Sequence, residues 1–157
     1  MTENIEKLTF IGRPYSSKQS DSQRSFVNAY QEMEADPVFQ KFIADNNFGS
    51  NRANLLVFST EDFMYWYGVV TDKELAAPAG LLRYVLPKAE VAQKQTPNSS
   101  NAFLQPVNTL VGGFLKQLDQ DGVKYYQNLG DSPTPYILQE LDANKKLTQT
   151  LYLKASK

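Results

Sequence analysis

The 157 residues include no cysteine and no histidine. Without cysteine there is no disulfide framework, no thiolate metal site and no thiol nucleophile. Without histidine the usual general base near neutral pH, the commonest metal ligand and any Ser-His-Asp triad are missing too. Zinc prefers imidazole and thiolate, and the carboxylates are too scattered for magnesium, so no metal and no cofactor is expected. Hydrolysis here would have to run on carboxylates, tyrosines or lysines alone. No apolar run approaches the roughly eighteen residues that cross a bilayer. The polar start, with Glu3 and Glu6, is unlike a signal peptide. The expected address is therefore the cytoplasm, with no membrane partner. Sixteen basic against seventeen acidic residues give a net charge of -1. No basic face stands out, so direct contact with nucleic acid is not expected.

What is present reads as one domain spanning residues 1–157, with alternating elements. Leu8–Tyr15 is a short strand ended near Pro14. Asp21 to Asn46 is helical by the spacing of Phe26, Val27, Tyr30 and Met33, then Val38, Phe39, Phe42 and Ile43. The pair Asp36-Pro37 reads as a helix start and predicts a break there. Strands follow at Leu55–Ser59 and Phe63–Thr71, then at Leu81–Gln93, where Pro87 demands a bulge or an edge. Lys94–Asn101 is loop. Ala102–Asp119 carries the strongest helical stripe, with Phe103, Val107, Leu110, Val111, Phe114, Leu115 and Leu118, and Gly122 ends it. Three strands close the chain, at Val123–Asn128, Tyr136–Leu141 and Thr148–Ala155, with a turn at Asp142–Lys145. The order is nearly one unit written twice: a strand and a helix, then a hairpin.

Aromatic residues concentrate in the strands: Tyr65, Trp66, Tyr67, Tyr84, Tyr125, Tyr126, Tyr136 and Tyr152. Alternation along a strand sends Tyr65 and Tyr67 to one face and Trp66 to the other. Tyrosine suits an apolar wall that must still offer a hydroxyl, as well as half-buried sheet faces. Among the carboxylates, Glu32 and Glu34 belong on the solvent side of the first helix. Glu140 shares a strand face with Tyr136 and Leu138, where an inward carboxylate would accept a ligand hydrogen bond or act as a base with a raised pKa. Gly112-Gly113, within the long helix, suggests close helix-to-sheet packing.

The strand FMYWYGVVTD, the segment PAGLLRYVLPKAEVAQ and the ending TPYILQELDANKKLTQTLYLKAS together resemble the GyrI-like effector-binding domains, known from transcription regulators, over about Leu8 to Ala155. The resemblance implies an α+β fold. It would be a pseudo-twofold duplicated β-α-β-β unit forming an antiparallel sheet, with two helices packed on it and a concave ligand groove. It also implies tyrosines lining that groove, placed by position at Tyr67, Tyr84, Tyr126, Tyr136 and Tyr152, with Trp66 near the rim or on the opposite face. The family's acidic residue does not carry over: its slot falls at Leu138, with Gln139 and Glu140 beside it. A neutral or apolar ligand is then expected. Two further readings stay open: a small hydrolase using tyrosine and carboxylate, and a protein-protein inhibitor of a larger enzyme. The expectation is a stand-alone module for a bulky aromatic or amphipathic compound, more a binder than an enzyme.

Overall fold

The fold was taken from a computed structural model that describes residues 2–16, 18 and 25–156. Eight strands form one antiparallel sheet: β1 (Glu3–Ile5), β2 (Leu8–Ser16), β3 (Arg52–Phe58), β4 (Phe63–Thr71), β5 (Leu82–Leu86), β6 (Ala89–Thr96), β7 (Tyr136–Leu141) and β8 (Leu147–Ala155). Among the described residues three α-helices accompany it: α1 (Val27–Glu34), α2 (Pro37–Asp45) and α3 (Val107–Gln120). The α+β class and the duplication are as the sequence implies.

The strand order β1-β6-β8-β7-β3-β4-β2-β5 is a palindrome of two four-stranded units meeting at β3 and β7. In the first unit β2, the helices α1 and α2, β3, β4 and β5 follow one another along the chain. In the second, β6, α3, β7 and β8 do the same, and β1 fills the place of the missing fourth strand. Only Pro87 and Lys88 separate β5, at one edge of the sheet, from β6, next to the other edge. Two residues reach less than about 10 Å, so the sheet must curl until its sides approach. Pro87 thus sits in a strand-to-strand connection, where its missing N–H interrupts no ladder.

The curl divides the core in two. Inside it, Phe10, Leu55, Trp66, Leu86, Val91, Leu138 and Tyr152 bury one another without help from any helix. Outside it, the helices cover Ile11, Leu56, Tyr65, Tyr67, Ile137 and Leu151 with Met33, Phe39, Phe114 and Leu118. Gly12 and Gly68 face each other across β2 and β4, on the inward side by alternation with Phe10 and Trp66. A Cβ on Gly12 would lie 2.0 Å from the Tyr67 carbonyl oxygen, and one on Gly68 2.0 Å from that of Ile11. This close backbone approach is what a sharp corner in a curled sheet requires.

The break at Asp36 is present. The carboxylate Oδ1 of Asp36 accepts from the Val38 and Phe39 N–H groups at 2.8 and 3.3 Å, and Pro37 opens α2. Arg13 of β2 pairs with the same carboxylate and ties the cap to the sheet.

Four local expectations fail. Leu81–Gln93 is not one strand but two, β5 and β6, parted at Pro87 and Lys88, and β6 runs on to Thr96 where the sequence reads as loop. The long helix does not run from Ala102. Ala102–Leu104 is a separate 3-10 turn and α3 begins after Pro106, because the residue before a proline is pushed into extended backbone, as Gln105 is at ψ 156°. Residues 123–128 make no strand: β7 and β8 are flanked on both sides, so the sheet leaves no partner beside them. Gly112 and Gly113 lie on the exposed face of α3, where an added Cβ would meet nothing within 4 Å. They serve no close packing on the sheet.

Candidate functional site

The strand residues singled out from sequence divide between the two faces. Inside the curl, Trp66, Tyr84, Tyr136 and Tyr152 make a continuous edge-to-face series with successive centroid distances of 5.5, 5.6 and 5.6 Å. The Tyr84 hydroxyl donates to that of Tyr136 at 3.0 Å. Leu138 lies among them at 0 % exposure, so these side chains fill the interior with one another. Glu140, two residues further along β7, points to the same inner side at the end of the sheet. Tyr126 is on the loop after α3, 47 % exposed, and shares only a separate recess with Tyr152. Tyr67 is on the outer face, under the helices. Trp66, rather than Tyr67, therefore keeps company with the other tyrosines. The period of two along β4 decides this, because adjacent residues cannot share a face.

Tyr67 is the centre of the second arrangement. Its ring meets those of Tyr30, Phe39 and Phe103 edge-on, at 5.6, 6.2 and 6.2 Å. Its hydroxyl donates to Glu34 Oε2 at 2.7 Å. Glu34 also accepts from Arg52, with Nε at 2.7 Å and Nη2 at 3.2 Å, and from Gln40 Nε2 at 3.3 Å. Arg52 in turn lies over the Phe39 ring, 5.6 Å from its centre. The remaining Nη1 of Arg52 donates to the Gly49 and Asn51 carbonyls.

The local sequence explains how these groups meet. Tyr30 and Glu34 are four apart on α1 and share a helix face. Arg52 begins β3, which pairs with β4 and so lies beside Tyr67. The 3-10 turn after β6 brings Phe103 across from the second unit. Glu34 is thus half-buried and bonded, not turned to solvent as the helix periodicity suggests. Burial alone would push its carboxyl up, but hydrogen bonds from Arg52, Tyr67 and Gln40 outweigh it and hold the group below the usual range. Burial and the neighbouring Glu34 carboxylate push the Tyr67 hydroxyl far above its ordinary value, so it acts as a donor and never as a phenolate base.

Beside this cluster is a cavity of about 160 Å³, bounded by Tyr30, Glu34, Arg52 and Tyr67 from the first unit and by Phe103 and Lys145 from the second. Two larger recesses flank the sheet. One of about 710 Å³ lies at the strand ends around Glu140. One of about 350 Å³ is walled by Tyr125, Tyr126, Leu129, Tyr152 and Leu153. Among the described residues no group of three or more acidic side chains is placed to hold a metal ion, and no helix is long and apolar enough to cross a membrane. The strand pattern could have pointed to Tyr67, and the four-residue spacing to Tyr30 with Glu34. Nothing in the sequence singles out Arg52 or Phe103.

A curled antiparallel sheet of two βαββ units with helices outside is a fold with known examples. An integron cassette protein from the mobile metagenome of Vibrio cholerae shares it at 5% identity and a TM-score of 0.62, over 98% of this chain and 95% of that one. SAV2435, solved bound to tetraphenylphosphonium, shares it at 12% identity and a TM-score of 0.63, over 99% and 93%. A Staphylococcus aureus protein described as a bacterial transcription regulation protein is similar at 10% identity and a TM-score of 0.52, over 99% and 97%. At these identities the likeness is one of fold. No protein-family model matches the chain, and no curated protein matches its sequence.

Proposed function

We propose that the chain is a small-molecule-binding module and that its ligand occupies the cleft over Tyr67. The observation that carries this reading is the combination at one place of a cavity, edge-on aromatic walls and a neutralised charge pair. The aromatic walls offer apolar area with directional ring contacts. The Glu34–Arg52 pair and the Tyr67 hydroxyl supply a few fixed polar groups, the usual composition of a ligand pocket. A cavity of roughly 150 Å³ takes a benzene-sized guest, so 160 Å³ suits a single-ring compound. A bulkier one needs Phe103 moved aside. Because Arg52 already meets the charge of Glu34, the cleft favours a neutral aromatic over a cationic one. A fold shared with a protein solved around an organic ligand supports the general reading, and the transcription-regulator likeness is consistent with a regulatory or sequestering role in the cytoplasm.

A hydrolase is the weaker reading. The carboxylate and the buried tyrosine that such chemistry would use are committed, Glu34 to Arg52 and Tyr67 to Glu34, so neither is free to activate water. The test is titration with p-cresol followed by calorimetry and NMR. Tyr30→Ala removes a half-buried wall of the cleft and should weaken p-cresol at least tenfold. Unchanged affinity in a folded Tyr30→Ala variant would move the site elsewhere, and turnover of a phenyl ester by the wild type, lost on Glu34→Gln, would restore the hydrolase.

A further inference from the structure

The cleft over Tyr67 is apolar at its base and polar at its opening. The buried rings of Tyr67 and Phe103 line the base with half-buried Tyr30, while Ser50, Ser100 and Lys145 border the cavity from exposed positions. Leu104, a large apolar side chain left exposed, borders it too. The polar groups are not equivalent. Glu34 and Arg52 are paired, and Nη1 of Arg52 is spent on two carbonyls. Among the described residues the Lys145 ammonium has no ion pair, and the Ser50 and Ser100 hydroxyls have no hydrogen bond. Lys145 is therefore the one uncompensated charge of the lining.

Lys145 holds that place under strain. Its φ of 63° lies in the left-handed region, where a Cβ is crowded and asparagine, aspartate and glycine are favoured. Among the described residues the other non-glycine positions with positive φ are both asparagines, Asn47 and Asn98. Asparagine would close the turn after β7 with less strain than lysine does. The backbone also fixes the three rim groups relative to one another. The Ser99 N–H donates to the Lys145 carbonyl at 2.8 Å, tying the turn to the loop that carries Ser100. The Ala143 N–H donates to Asn51 Oδ1 at 2.9 Å, tying it to the segment that carries Ser50. Asp142, the carboxylate of the turn, accepts from the Asn144 and Lys146 N–H groups and borders the recess at the strand ends instead. A cavity with an aromatic base and a rim of one free ammonium and two free hydroxyls is complementary to a ring that carries an anionic arm.

We propose that the ligand of the cleft is a single-ring aromatic carboxylate, its ring against Tyr67 and Phe103 and its carboxylate held at the rim by Lys145 with Ser50 and Ser100. The assignment rests on the cleft being the ligand site and adds the class of ligand. The base, where Glu34 is already matched by Arg52, takes the neutral ring, and the rim selects its anionic arm.

The probes are phenylacetate and phenylacetamide, which have nearly the same shape and differ by one charge at pH 7. Both are titrated calorimetrically into the full chain in low-salt buffer. Phenylacetate should bind the wild type about fivefold tighter, the size of a charge-assisted contact at an exposed rim. The advantage should shrink as salt is added. Lys145→Gln should bring the ratio of the two affinities close to one, and Lys145→Arg should keep it. Because the ratio is taken within one variant, a general change in the cleft cancels. Equal affinities in the wild type, or a preference that survives in Lys145→Gln, would overturn the assignment. So would phenylacetate binding that Tyr30→Ala leaves unchanged, since the anion would then lie outside the cleft. Binding of p-cresol without any preference for phenylacetate counts against the rim alone, whereas failure of all three compounds counts against the cleft and takes the rim with it.

Discussion

At the scale of single residues, the half-buried carboxylates Glu34 and Glu140 pull stability in opposite directions with pH. Glu34 is held below the usual range by Arg52 and Tyr67. Its contribution is present above the ordinary carboxylate pKa and is lost as pH falls below it. Glu140 is raised by burial. In the folded state it holds its proton longer than in the unfolded state, so its contribution is fully present below the unfolded pKa and is lost as pH rises through the folded one. At pH 7 the ionised Glu140 carboxylate therefore costs stability. Glu140→Gln should raise the unfolding free energy by roughly 0.5–2 kcal/mol at pH 7 and by almost nothing near pH 3. Denaturant melts at the two pH values measure this, and a variant less stable than wild type at pH 7 would mean that the carboxylate has a partner in solution. The same comparison explains why Leu138 and Glu140, two residues apart on one face, play different parts: one is packing at the centre of the curl, the other a charge at its mouth.

At the scale of elements, the corner between β2 and β4 is the most demanding feature. Alternation sets both Gly12 and Gly68 on the inward side, and each would drive a Cβ into the opposite backbone. Backbone cannot rotate away as a side chain can, so the strands would have to part. Gly68→Ala should lower stability by about 3 kcal/mol or more, above the usual overpacking range of 1–3 kcal/mol, as read by chemical denaturation. A loss under about 1 kcal/mol would show that the strands part easily at the corner. Across the neighbouring strands, a buried amide ladder joins the two units on the helix side. Gln139 Nε2 donates to Asn54 Oδ1 and Gln149 Nε2 to Gln139 Oε1, both at 2.8 Å. These amides are as buried as the leucines beside them, and they are tolerated because each has a partner.

At the scale of the whole molecule, the second unit is completed by a strand from the far end of the chain. β1 pairs with β6 at the position that β5 holds in the first unit, and Ile5 packs toward the interior. Removing residues 1–6 would uncover the β6 edge, whose unpaired N–H and C=O groups invite pairing with another chain. The truncated protein should melt about 2–4 °C lower, as a loss of roughly 1 kcal/mol implies for a domain of this size. It should also self-associate with concentration in sedimentation velocity. A monodisperse truncation with unchanged melting would show that β1 is dispensable.

Sequence by itself determined most of the elements and which residues of a strand share a face. The period of two in FMYWYGVVT separates Trp66 from Tyr67, Asp36-Pro37 divides the first helical segment, and the apolar stripe from Val107 to Leu118 builds α3. These are local consequences of backbone geometry, and they hold whatever the elements pack against. Tertiary structure decided which face would be shared. The curl that Pro87-Lys88 requires turned one side of the sheet into a shared interior, so Tyr84, Tyr136 and Tyr152 became mutual packing around Leu138. The cleft arose instead on the outer face, from Tyr30 and Glu34 of α1, Arg52 of β3, Tyr67 of β4 and Phe103 of the other unit. Residues 123–128 read as a strand and are not, because a strand needs an edge and only the finished sheet decides where edges remain. Charge pairing is the other thing sequence left open: Glu34 and Glu140 are the same residue type in similar apolar company, and only the fold gives a cation to the first and leaves the second without one.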